Sequence, residues 1–107
     1  MTKETEEGFL QAVMAFAKLN GWRSAHFRPA KTAKGWRTAV GGEGKGFPDL
    51  VMIHPALQKM VVAELKVGRN TTTHDQDVWL DHFKEVCDDV YVWRPTDWPT
   101  IQKVLSG

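Results

Sequence analysis

Hydrophobic positions change period several times along the chain, and each change marks an element. Between residues 3 and 20, Phe9, Leu10, Val13, Met14, Phe16 and Ala17 recur at helical spacing, and Gly21 follows where a helix-ending glycine is expected. Residues 22–28 suit a first strand. A stretch rich in Lys, Arg and Gly, residues 29–46, then reads as a loop with a short strand near 36–40. Two apolar runs follow, 49–54 and 59–67, joined by a turn around Pro55, Ala56 and Leu57. Hydrophobic residues fill both alternating sets in these runs, as in strands covered on both faces. A second helix is expected over 74–87, opened by a capping-box pattern from Thr73 to Gln76. Residues 89–93 suit a further strand, and 97–105 a short closing helix with Pro99 in its first turn. The order α-β-β-β-α-β-α predicts an α/β fold, a central mixed sheet with helices on both sides.

A length of 107 residues leaves room for one domain with a modest core. No apolar run approaches the roughly 18–20 residues that span a bilayer, and the acidic start MTKETEEGF is unlike a secretory signal. Cys87 is the one cysteine, which excludes an internal disulfide and any cysteine cluster for zinc. A reducing, cytoplasmic setting is the expectation. The net charge of +1 conceals an asymmetry: Lys18, Arg23, Arg28, Lys31, Lys34, Arg37 and Lys45 face only Glu43 in their stretch, whereas acids dominate from Asp75 onwards. Such a distribution suits a face for a polyanion, or else a solvated basic loop.

The candidate chemistry lies on the two apolar runs. A hairpin turn centred between Ala56 and Leu57 sets Asp49 opposite Glu64, and alternation puts Glu64 and Lys66 on one face. Two carboxylates and an ammonium would then meet at one end of two buried strands, which is costly unless they pair with each other or with a metal. A salt bridge of Lys66 with both acids is one outcome. A magnesium site is the other, because hard cations take carboxylate oxygens and keep waters that can serve as nucleophile. Lys66 would then orient that water or offset charge developing on a phosphate. On the first helix, Glu6 projects near the centre of the apolar stripe, Glu7 at its edge and Glu4 well away. Either Glu6 stays wet in the first turn, favoured by the helix dipole, or it joins Asp49 and Glu64 as a ligand.

Gly46-Phe47-Pro48-Asp49-Leu50 followed by Ala63-Glu64-Leu65-Lys66 resembles the core signature of the PD-(D/E)xK nucleases. More narrowly, the chain resembles the virus-type replication-repair nuclease (VRR-NUC) family. The resemblance runs from a Glu-containing helix ending in Gly21-Trp22, through His26 and the two motifs, to Gln76-Asp77-Val78-Trp79-Leu80. The two short motifs alone are a loose pattern, and the ordered series is more specific. The resemblance implies a restriction-endonuclease-like fold and Mg2+- or Mn2+-dependent hydrolysis of DNA phosphodiesters. It makes Asp49 and Glu64 metal ligands, with the backbone carbonyl of Leu65 as a third. Lys66 becomes the catalytic lysine and Glu6 the helix acid, with Glu7 its alternative. Gln76 matches a glutamine near the site in related nucleases, and it also suits the capping box with Thr73. By the same resemblance the protein acts on branched DNA such as a four-way junction, as a small homodimer, in DNA repair, and is phage-encoded. A flap or exonuclease working with a partner, and a catalytically silent nucleic-acid-binding module, are the alternatives.

Arg28, Lys31, Lys34, Arg37 and Lys45 are the candidates for phosphate contacts, and Trp36 for stacking on an unpaired base or for packing within its loop. Trp22, Trp79 and Trp93 sit in apolar patterns and are expected in the core. His26 is expected at the surface or core edge, and His54, His74 and His82 lack metal-ligand spacing.

Overall fold

The computed structural model describes residues 5–27, 30–32, 35–37 and 42–107, with backbone alone for 30–32 and 35–37. Helix α1 spans Glu6–Leu19. It begins at Glu6, later than the expected residue 3, because the Thr5 hydroxyl caps it by accepting the Gly8 N–H at 3.0 Å. After Gly21, whose φ of +88° suits glycine, strand β1 (Arg23–His26) begins. Instead of a single strand near 36–40, the basic stretch forms a small hairpin of β2 (Ala30–Thr32) and β3 (Gly35–Arg37). A two-residue connection lets neighbouring segments pair locally without any apolar periodicity to announce them.

Strands β4 (Leu50–His54) and β5 (Lys59–Leu65) follow, joined by a 3-10 turn over Pro55–Leu57. Helix α2 (His74–Val86) carries the expected capping box between Thr73 and Gln76. Strand β6 (Asp89–Trp93), a 3-10 turn over Pro95–Asp97 and helix α3 (Trp98–Leu105) complete the chain. The central sheet has the order β1-β4-β5-β6, antiparallel throughout except for the parallel pair β5–β6. The helix α2 between β5 and β6 makes the crossover that a parallel pair requires. The element order and the mixed sheet flanked by helices are those expected.

One face of this sheet carries the main core. Leu50, Met52, Val61, Ala63, Leu65 and Trp93 pack there with Phe9, Leu10, Val13 and Ala17 of α1 and Ile101 and Leu105 of α3. The Trp22 indole N–H donates to the Leu105 carbonyl at 2.7 Å and ties the end of the chain to this layer. The opposite face, one residue out of phase, receives α2, which packs against β6. It is the less covered face, since Ile53 and Val92 are 41% and 40% exposed. Among the described residues no helix is long and apolar enough to cross a membrane.

Candidate active site

Pairing of Leu50 with Ala63 and His54 with Lys59 makes the β4–β5 register the one that sets Asp49 opposite Glu64. The pair closes the ladder at the end remote from the turn. Lys66 donates its N–H to Trp93 on β6 at 3.0 Å, so the amide groups of Leu65, one residue earlier, turn towards β4. There the Leu65 N–H reaches Asp49 Oδ2 at 2.8 Å, and the Leu65 carbonyl faces the same side. The Asp49 N–H donates to Glu64 Oε1 at 3.2 Å, and the Asp49 carbonyl accepts the Phe27 N–H at 2.8 Å. Asp49 is thereby held from both neighbouring strands.

Lys66 Nζ lies 3.4 Å from Glu64 Oε2. Gln76 donates to the same oxygen through Nε2 at 3.0 Å, while its Oε1 accepts the Thr73 N–H at 2.9 Å. One amide thus serves both the helix cap and the site, because its two ends point in opposite directions. Asp49, Glu64 and Lys66 are 8%, 1% and 8% exposed and are the only buried polar or charged residues among those described. Burial, then the negative charge of Asp49 and a hydrogen bond with it, push the Glu64 pKa up from 4.5 to about 8, with Lys66 pulling the other way. Burial beside Asp49 thus favours the protonated form of Glu64 far more than in an exposed carboxyl, while Lys66 and Gln76 favour the charged form.

The residues brought together fit a divalent cation in donor chemistry: two carboxylates and a backbone carbonyl are hard oxygen ligands. A third acid is another matter. Glu6 is partly buried, but its helix packs on the sheet face opposite to Asp49 and Glu64. Among the described residues no group of three or more His, Cys, Asp or Glu is arranged to hold a metal. Glu6 and the exposed Glu7 stand in the first turn of α1, whose buried residues Phe9, Leu10, Val13 and Ala17 face the other side of the sheet. An apolar stripe shows which helix face is inward but not which sheet face it meets.

Of the basic candidates, Arg28 and Lys34 lie outside the described residues, and Lys31 and Arg37 fall in β2 and β3 as register partners of Trp36 and Ala30. Lys45 is exposed and 3.5 Å from Asp75. His26 is exposed at the end of β1, as expected. His54 braces the fold, its Nε2 2.9 Å from the Asn20 carbonyl and its ring edge-on to Trp22. Trp22 and Trp93 are core residues, but Trp79 is only half-buried. Its indole N–H donates to the Glu43 carbonyl at 3.1 Å, which stacks the 42–47 segment against α2. Arg94 was not singled out from sequence, yet its guanidinium bonds to the carbonyls of Gly68 and Asn70 and fastens the loop between Lys66 and Gln76. An arginine after a strand gives no local sign of such a distant target.

No family model matches the chain, and no curated protein or solved structure matches it either.

Proposed function

We propose that the protein is a divalent-metal-dependent nuclease of the PD-(D/E)xK type, related to the VRR-NUC family. The observation that supports this best is the burial of Asp49, Glu64 and Lys66 as one cluster, when the described residues bury no other charged group. Opposed buried carboxylates repel, so a fold that only needed stability would gain from apolar side chains of like volume. The α-β-β-β-α-β order and the GFPDL and AELK motifs point the same way.

Asp49, Glu64 and the Leu65 carbonyl would hold Mg2+ or Mn2+. When bound, the cation supplies Lewis-acid polarisation of a phosphate diester. The chain's own part is electrostatic. Gln76 and the Asp49 N–H hold the two oxygens of Glu64, and the Leu65 N–H holds Oδ2 of Asp49, so both carboxylates keep their direction. Lys66 places a buried ammonium beside them, where it offsets negative charge growing on a phosphate. A bound dication together with Lys66 would offset the two carboxylates and favour a phosphodiester anion. From the resemblance come DNA as substrate, branched in structure, and a two-fold homodimer with two opposed sites.

The test is cleavage of a labelled panel, comprising a four-way junction, a flap, a single strand and a linear duplex, with Mg2+ or Mn2+. Metal-dependent cutting that EDTA and Asp49→Ala both abolish is expected. Binding without cutting by folded wild-type protein, on every substrate and with either metal, would overturn it in favour of a silent binding module.

The Lys66–Glu64 contact at 3.4 Å favours a second possibility, a structural ion cluster. It predicts that neutralising Asp49 destabilises the metal-free protein, whereas a metal site predicts the reverse.

A further inference from the structure

Asp49 stands at the end of a segment that is bolted to α2 rather than to the sheet. The Glu43 carbonyl accepts the Trp79 indole N–H at 3.1 Å. A tight turn then closes as the Phe47 N–H donates to the Gly44 carbonyl at 2.9 Å. Gly46 adopts φ +86° and lies so close to α2 that an added Cβ would sit 2.5 Å from the Asp75 carbonyl carbon. Phe47 enters an aromatic cage, with ring centroids 4.9 Å from Phe27, 5.0 Å from Trp79 and 5.8 Å from Phe83, all edge-on. Pro48, buried and with φ locked by its ring, is all that separates this cage from Asp49. Phe27 closes the circuit, since its backbone N–H also holds the Asp49 carbonyl.

We infer that Trp79 is a positioning residue for Asp49: by holding the Glu43 carbonyl and the Phe47 ring, it sets where Asp49 stands against Glu64. The same helix presents Gln76, which holds Glu64. One rigid element therefore aligns both carboxylates, Glu64 directly and Asp49 through the segment. Lys45 adds little, because its ion pair with Asp75 is largely exposed and screened. The catalytic consequence rests on the proposed nuclease function, but the positioning itself does not.

The Leu65 amide reports the position of Asp49 directly, since its N–H donates to Asp49 Oδ2. Hydrogen exchange at that amide is therefore measured in the metal-free wild type, in Trp79→Phe and in Trp22→Phe. The last loses a comparable indole-to-carbonyl hydrogen bond, to Leu105, away from the site. In Trp79→Phe, exchange at Leu65 and Phe47 is expected to quicken about fivefold to tenfold, the change one lost neutral hydrogen bond gives, with Ile101 unaffected. Trp22→Phe is expected to quicken exchange in α3 without the selective rise at Leu65 and Phe47. Unchanged Leu65 exchange in Trp79→Phe, or an equal rise at every amide, would overturn the inference. If Trp79→Phe does not fold, Phe47→Leu loosens the same cage and must give the same selective rise at Leu65. In cleavage assays Trp79→Phe is expected to lower kcat with KM for DNA unchanged. A wild-type protein that cuts nothing would refute the nuclease function while the exchange result still decides the positioning.

Discussion

Gln76 donates to Glu64 Oε2 at 3.0 Å with its amide orientation set by the Thr73 N–H on its other end. The start of α2 and the most deeply buried acid among the described residues are thus one hydrogen-bonded unit. A surface capping box is worth only about 1 kcal/mol, but here it also determines which atom faces a buried carboxylate.

Exchange of the amide for a carboxylate separates the two roles. Gln76→Glu keeps an acceptor for the Thr73 N–H but sets a third acid against Glu64. It is expected to lower the Tm at pH 8 well beyond the effect of Thr73→Ala, which costs about 1 kcal/mol as a lost cap. Equal losses in the two variants, followed by thermal unfolding, would confine Gln76 to the cap.

Glu64 makes the metal-free protein sensitive to pH. An acid whose folded pKa exceeds its unfolded value binds more protons when folded, so its contribution to stability is lost as pH rises. For Glu64 this loss begins near 4.5 and is complete above about 8. Urea unfolding between pH 5 and 9 is expected to show wild-type stability falling relative to Glu64→Gln. Parallel pH profiles would contradict the raised pKa.

Cation binding must then displace a proton. At pH 6.5 calorimetry of Mn2+ binding in two buffers of different ionisation enthalpy should show nearly one proton released, and the release should fade above pH 8. Glu64→Gln abolishes it. Tight binding with no buffer dependence at pH 6.5 would place the cation elsewhere.

Asp49→Asn keeps an oxygen for the Leu65 N–H while removing the charge that, after burial, does most to raise the Glu64 pKa. It is expected to raise metal-free stability at pH 8 and to abolish cleavage. Lys66→Ala is expected to lower cleavage by about 10²-fold or more, as for loss of a donor to developing charge. Lower stability in Asp49→Asn would favour the structural ion cluster instead.

Gly46→Ala combines a left-handed φ with a clash against the Asp75 backbone. A cost of about 2 kcal/mol is expected by chemical denaturation. A neutral substitution would show that the segment does not need its close seat on α2.

The amino-acid sequence by itself determined the β4–β5 register, because strand alternation and the length of the Pro55–Leu57 turn are local quantities. Asp49 opposite Glu64, Lys66 on the face of Glu64, and the Thr73–Gln76 cap all follow from spacing of that kind. Tertiary structure decided what spacing cannot carry. Trp79 and Glu43 are 36 residues apart, and their bond exists only because α2 lies along the segment leading to Asp49. That Gln76 turns its free amide end inward depends on which face of the sheet the β5–β6 crossover puts α2 upon. Helix α1 shows the converse: its apolar side was legible, but not that it would cover the face of Leu50 and Leu65 rather than that of Asp49 and Glu64. Periodicity tells a helix which of its sides to bury, whereas the layer it joins is settled by the packing of the whole chain.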